Sequence, residues 1–454
     1  MRKRTVIIIS VVAAVIVAAG LSVLIWWLVT RNDGEITVID LEGEGFDGVS
    51  HSAGFTSIQG TGDLFWLFYP TTNFSSTNRP IILFLDGVTG IPPSLWANFG
   101  MFGPLDINLN RREDSWVDSY NLLFFDAPMG TGFSTIEREN RIPRTLEGHA
   151  DLLASNLESF YNRHRTYSSA PLYIMGEGHG AQLALGLAEK LTKPDLNFEH
   201  NLQGVIIGNG IVSPALALSK LGFYLEELGY IDGRGRETIE TFSSEINTLV
   251  SDENYDDAFE QFLTLGEIVN DNAGAIAVNL GYIIQKLTRE ETSSRNFNAF
   301  GMRSYLQKAS RAQNLYEFME DTVAPALGIS NVAYDSSRET ALNSFRSILM
   351  VPSVEIVEHL LQNTNVTVSI YNGNLDAVSN TPGQLEWINN LVWSGRFEFD
   401  NSTRQTLVVD RLVQGYFKET AKLKFYWINV AGVSVPYDSR RAMRIVLNRI
   451  FGTN

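Results

Sequence analysis

The residues with the most chemical meaning lie at Tyr173–Ala181, which reads YIMGEGHGA. An apolar run, Leu172 to Met175, leads into Gly176-Glu177-Gly178-His179-Gly180. This is the shape of a nucleophile elbow, G-x-S-x-G, in which a strand turns sharply into a helix and lifts one side chain above a sheet to attack a carbonyl carbon. Glycines tolerate the strained turn and the close approach of helix to strand. The lifted position here is Gly178, which has no hydroxyl. The chemistry served by such a frame is acyl transfer, and the frame stands here without its nucleophile.

An elbow needs a sheet beneath it. Leu64–Tyr69 (LFWLFY), Ile81–Leu85 (IILFL), Leu122–Phe125, Leu172–Met175 and Gly204–Ile207 are compact apolar runs bounded by turn residues, which predicts buried strands. Leu152, Leu153, Leu157 and Tyr161 recur at helical spacing within Leu146–Tyr161. Strand and helix in alternation predict an α/β fold with a mostly parallel sheet and crossover helices. Ile36–Glu42 reads as a short opening strand or linker. From about Pro214 to His359 helical spacing takes over, at Ile239–Val250, Tyr255–Leu265, Ile276–Leu287 and Leu315–Met319. This predicts a helical insertion lying over the sheet. Strand signals resume at Val366–Tyr371 and Lys424–Val430, and an amphipathic helix, Arg440–Phe451, closes the chain.

The chain has 454 residues, 44% of them hydrophobic, enough for one large α/β domain or two smaller ones. Its net charge is −16 and no basic patch stands out, which argues against nucleic acid as a partner. It has no cysteine, so disulfides, thiolate metal sites and a thiol nucleophile are excluded. Residues 1–5 form a basic tail, with Arg2, Lys3 and Arg4 ahead of the apolar stretch Val6–Val29. A helix there is roughly 36 Å long, enough to cross a bilayer. Trp26 and Trp27 sit where an interfacial belt lies, and Arg31 closes the span. The expectation is an uncleaved signal anchor over residues 6–29, with residues 30–454 on the lumenal or outer side of a membrane of the secretory pathway, a lysosome or the cell surface. The alternative is a cleaved signal peptide and a secreted body. Sequons at Asn73, Asn365 and Asn401 suit either topology.

Six segments line up in order with one family. ILFLDGVTG (Ile82–Gly90) resembles a strand followed by Asn/Gln-Gly-Gly-Pro-Gly. NFGMFGPL (Asn98–Leu105) resembles N-F-x-E-x-G-P-L. NLLFFDAPMGTGFS (Asn121–Ser134) resembles D-x-P-x-G-x-G-F-S. The elbow resembles G-E-S-Y-[AG]-G. YNGNLDAVSNTPG (Tyr371–Gly383) resembles Y-N-G-x-L-D, and FYWINVAGVSVPYD (Phe425–Asp438) resembles F-Y-W-x-x-x-A-G-H-x-V-P-x-D. Together, over about Gly34 to Ile450, the chain resembles the serine carboxypeptidases, most of all their retinoid-inducible branch. The resemblance implies an α/β-hydrolase fold and serine-type peptide hydrolysis, with no cofactor and no metal.

Carried over position by position, the family's serine falls on Gly178, its aspartate on Asp376 and its histidine on Val433. The six histidines are His51, His149, His164, His179, His200 and His359, and none follows Asp376. Triad chemistry needs a hydroxyl, a proton acceptor and an acid that holds it. The oxyanion loop becomes Gly87-Val88-Thr89-Gly90, with a β-branched residue at its second position. The resemblance also implies a clamp on the substrate's C-terminal carboxylate. Of that clamp Asp86 replaces the amide, Glu177 keeps one acid, and the second acid falls on Gly100 or Met101. His179 stands where the family has an aromatic residue, which points to packing or hydrogen bonding. Ser434, beside the lost histidine, has no visible base.

Two readings follow. The first is a pseudoenzyme that binds a peptide or protein partner in a retained cleft. The second is a hydrolase or acyltransferase with residual activity from rearranged groups. A serine-directed fluorophosphonate separates them. A lumenal structural protein without a cleft ligand is a third reading.

Overall fold

The apolar runs pair into one twelve-stranded sheet. The computed structural model describes residues 34–72, 75–274, 277–287, 315–330 and 333–452. The first eight strands are β1 (Ile36–Leu41), β2 (Ser52–Ile58), β3 (Gly62–Tyr69), β4 (Ile81–Leu85), β5 (Asn121–Phe125), β6 (Thr135–Ile136), β7 (Leu172–Glu177) and β8 (Leu202–Gly208). After a small hairpin, β9 (Ala277–Val278) and β10 (Lys286–Leu287), come β11 (Thr367–Gly373), β12 (Gln405–Val409), β13 (Leu412–Glu419) and β14 (Leu423–Ile428). The order is β1-β2-β3-β5-β4-β7-β8-β11-β14-β13-β12, with β6 beside β3. The run from β5 to β14 is parallel. The flanking strands are antiparallel, so the sheet is mixed and only its core matches the expected parallel arrangement.

Two helices fix the sheet's faces. Leu146–Arg163 starts at Thr145, whose hydroxyl accepts from the Gly148 N–H, and buries Leu153, Leu157 and Phe160. Gly180–Thr192 buries Leu183, Leu187 and Leu191. Each such side chain is worth about 1.5–3 kcal/mol when removed from water. Between β8 and β11 lie the helices Pro214–Leu218, Leu221–Glu227, Gly233–Ser251, Tyr255–Leu263, Leu265–Asn272, Leu315–Phe318, Ala324–Leu327, Arg338–Ser344 and Val354–Asn363. Asp232 opens the longest of them by accepting from the Arg234 and Gly235 amides.

Three expectations need correction. The helix expected over Ile276–Leu287 is the β9–β10 hairpin in its described part, 277–287. Its main-chain groups are committed elsewhere: the Ala377 N–H donates to the Leu280 carbonyl, the Ile283 N–H to the Leu375 carbonyl, and the Val433 N–H to the Gly281 carbonyl. These bonds replace the i to i−4 ladder that a helix requires. Tyr255–Leu265, expected as one helix, divides into Tyr255–Leu263 and Leu265–Asn272. The strands β2, β12 and β13 were not anticipated; β2 reads SAGFTSI, too small and polar to register as an apolar run.

The anchor expected over residues 6–29 and the sequon asparagine Asn73 lie outside the described residues. Among the described residues no helix is long and apolar enough to cross a membrane. Asn365 and Asn401 are exposed.

Candidate functional site

Strand β7 ends at Glu177 and the next helix begins at Gly180, so the elbow is built as the sequence predicts. Gly178 has φ +57°, the left-handed region that a lifted nucleophile occupies at strain. Its N–H donates to the Gly208 carbonyl at 3.0 Å, and its own carbonyl accepts from the Ile211 N–H at 3.0 Å. A Cβ built on Gly178 meets nothing within 4 Å, whereas one on Gly180 lies 2.2 Å from the Leu85 carbonyl oxygen. The turn thus requires Gly180 sterically, while position 178 has room for a side chain and lacks one.

The turns after β11 and β14 stand at the same end of the parallel strands as the elbow. They are joined by the Leu375 N–H, which donates to the Ala431 carbonyl at 2.8 Å. Asp376 is buried in the first turn. Its Oδ2 accepts from Asn209 Nδ2 at 2.9 Å, and its Oδ1 accepts from the Val378 N–H at 2.9 Å and the Ser379 N–H at 3.3 Å. Burial pushes its pKa up to about 7 against the pull of those donors. All three partners belong to the scaffold, and no histidine is among them. Val433, in the second turn, is 9% exposed and carries two methyl groups and no proton acceptor.

The loop after β4 is held from two sides. The Val88 N–H donates to His179 Nδ1 at 3.0 Å. Gly87, at φ +80°, permits this, because a Cβ there lies 2.5 Å from the same nitrogen. An Nδ1 that accepts puts the ring proton on Nε2. That nitrogen is buried with no hydrogen-bond partner among the described residues. Burial, reinforced by the neighbouring His149, holds the His179 pKa down to about 3, so the ring is neutral. Phe345 sits between the two imidazoles, stacked on His149 at 4.1 Å and edge-on to His179 at 4.7 Å. From the same insertion, Arg338 Nη1 donates to the Val88 carbonyl at 2.7 Å and the Gly90 carbonyl at 2.9 Å. Its Nε pairs with Asp335 at 2.5 Å.

The carboxylate clamp is not assembled. Asp86 is buried and turned into its own loop, where Oδ2 accepts from the Ile91 N–H at 2.9 Å; burial pushes its pKa up to about 7. Glu177 Oε1 accepts from the Tyr371 hydroxyl at 3.0 Å. Burial first, and then the nearby Asp86, drive the Glu177 pKa well upward. Ser434 directs its hydroxyl at Met101 Sδ, 2.9 Å away. At Gly100 a Cβ would lie 2.2 Å from the Trp96 ring, which leaves no space for an acidic side chain. Asp86 and Glu177 are therefore both interior groups. No group of three or more His, Asp or Glu among the described residues is placed to hold a metal ion.

Four residues that shape the site were not singled out from the sequence: Asn209, Phe345, Arg338 and Asp335. Asn209 carried a signal, since it lies between two glycines directly after β8. The others sit in the insertion, where no local pattern marks them.

With that geometry in hand, the profile of the serine carboxypeptidase family matches residues 43–453. The chain belongs to the serine carboxypeptidase family. It is 27% identical over 414 residues to serine carboxypeptidase-like 51 of Arabidopsis thaliana, covering 86% of this chain and 89% of that one. It is 28% identical over 400 residues to the retinoid-inducible serine carboxypeptidase of Homo sapiens, covering 84% and 87%. Among solved structures it resembles KEX1(delta)p, a prohormone-processing carboxypeptidase from Saccharomyces cerevisiae, with a TM-score of 0.75 and 20% identity over 91% of this chain and 95% of that one. That likeness is one of fold, and it identifies the mixed sheet with its helices as an α/β-hydrolase-type fold.

Proposed function

We propose that this member of the serine carboxypeptidase family is a pseudoenzyme: its cleft takes up a peptide or a protein segment and does not cleave it. The observation that carries this reading is the replacement of the serine by Gly178, with open space above it, and of the histidine by Val433, while the donors to Asp376 are all scaffold groups. Loss of a single triad member costs a serine protease on the order of 10⁴-fold in turnover, and here two positions are empty of function. The open space at Gly178 supports a cleft that still admits a ligand. The apolar stretch 6–29 supports a body tethered to the lumenal or outer face of a membrane, glycosylated at exposed sequons such as Asn365 and Asn401.

The test is direct. The purified protein is incubated with a blocked dipeptide and with a fluorophosphonate, beside an active family member. No turnover and no labelled serine are expected. Turnover that disappears in Asp376→Asn would overturn the proposal. Alkaline carbonate extraction of cell membranes checks the tether, and release into the supernatant would count against it.

A further inference from the structure

We infer that His179 has taken the loop's oxyanion donor out of service, so that this cleft accepts a neutral peptide carbonyl and not a tetrahedral anion. The inference deepens the pseudoenzyme reading and rests on it. In an elbow-type hydrolase the negative oxygen is held by the N–H of the residue after the nucleophile and by an N–H from the loop following an early sheet strand. The loop donor here is the Val88 N–H, and it is already bonded at 3.0 Å to His179 Nδ1.

That bond is a fixture of the fold, for four reasons on the molecule itself. The imidazole is buried beneath the loop. Gly87 leaves it the space that any Cβ would fill. Phe345 closes on its far side at 4.7 Å. Arg338 holds the loop's carbonyls at Val88 and Gly90 and so anchors the segment directly after the peptide that carries the Val88 N–H. An anion seeking the Val88 N–H would have to break a buried hydrogen bond and leave Nδ1 without a donor. The ring could answer by taking up a proton, which a neutral, desolvated imidazole resists, or by shifting its own proton from Nε2 to Nδ1, which sets one N–H against another across the 3.0 Å gap to the Val88 amide. Restoring the serine and the histidine therefore leaves the site short of one donor. His179 is a positioning residue, acting through the Val88 amide.

Two measurements test this. In the unaltered protein, the ¹⁵N shift of His179 Nδ1 should be that of an unprotonated, hydrogen-bonded nitrogen and stay so on acidification to pH ~4, as a buried imidazole with a depressed pKa requires. A protonated Nδ1 at neutral pH would overturn the inference. The second measurement compares the rebuilt variant G178S/V433H with G178S/V433H/H179Y. The added tyrosine should speed fluorophosphonate labelling of residue 178 by about 10²-fold, the usual worth of one oxyanion donor. Equal labelling of the two variants overturns it, while the pseudoenzyme reading of the natural chain stands. Should neither variant label, hydrogen exchange at the Val88 amide decides: protected in the natural chain and faster in His179→Phe is the expected result, and equal exchange sinks the idea.

Discussion

At the elbow the backbone turn has persisted and the reactive side chain has gone. At the turn after β11 the acidic side chain has persisted and its surroundings have a different use for it. Gly178 keeps φ +57° with nothing within 4 Å of a Cβ, so no neighbour has collapsed into the space a serine would fill. The conformation survives because Gly176 and Gly180 are steric requirements of packing a helix on β4 and β7. Asp376 survives because Asn209, Val378 and Ser379 all donate to it. On the proposed reading a residue outlasts its catalytic task where the fold leans on it, and a turn outlasts the residue it was built to present. The fate of each position follows what its neighbours require.

Substitutions sharpen this contrast. The largest effect is expected from Gly180→Ala, whose Cβ would enter 2.2 Å from a main-chain oxygen; a loss of about 3 kcal/mol or more should appear in urea unfolding. Asp376→Ala strands three buried donors and should cost about 2–3 kcal/mol, with ligand uptake at the cleft intact in the protein that remains folded. Were Asp376→Ala neutral in stability, the structural account of that side chain would fail. Gly178→Ala should cost only about 1–2 kcal/mol, the penalty of a left-handed residue without a clash. Should Gly178→Ala prove as damaging as Gly180→Ala, the open space above the elbow does not exist.

The pH dependence separates the two sides more finely. His149 and His179 are held at about 3 by burial, below the ordinary 6.5. The unfolded chain therefore binds protons that the folded one refuses. Their contribution is present above pH 6.5 and is lost as pH falls toward about 3. His179→Phe should flatten the acid limb of a melting-temperature profile. Asp86 works in the opposite sense: with its pKa up at about 7 from 3.8, it favours the fold at low pH and ceases to as pH rises through about 7. Asp86→Asn should raise the melting temperature at pH 8 and change it little at pH 4.

The parallel core was legible in the sequence because strands buried on both faces read as unbroken apolar runs, as IILFL and NLLFF do. The antiparallel flanks were less so: β12 and β13 alternate buried and exposed positions over short lengths, and β2 is built of small residues. Glycine spacing alone placed the elbow. The sequence puts Asp86 at the amide position of the clamp but cannot give the direction of its side chain, which bends back to the Ile91 amide. Arg338 was invisible for a related reason. It lies about 250 residues from the two carbonyls it holds, in a helix with no motif. The hairpin at 277–287 was lost to helical spacing because its hydrogen-bond partners are remote in the chain.

The crossing from Leu280 to Ile283 is bonded to both surviving turns through main-chain atoms, with two bonds to residues 375–377 and one to Val433. Such a seam is strict about counting. Leu280 and Ile283 are buried and must stay apolar, and adding or removing a single position would bring donors opposite donors and let the rim of the cleft come apart.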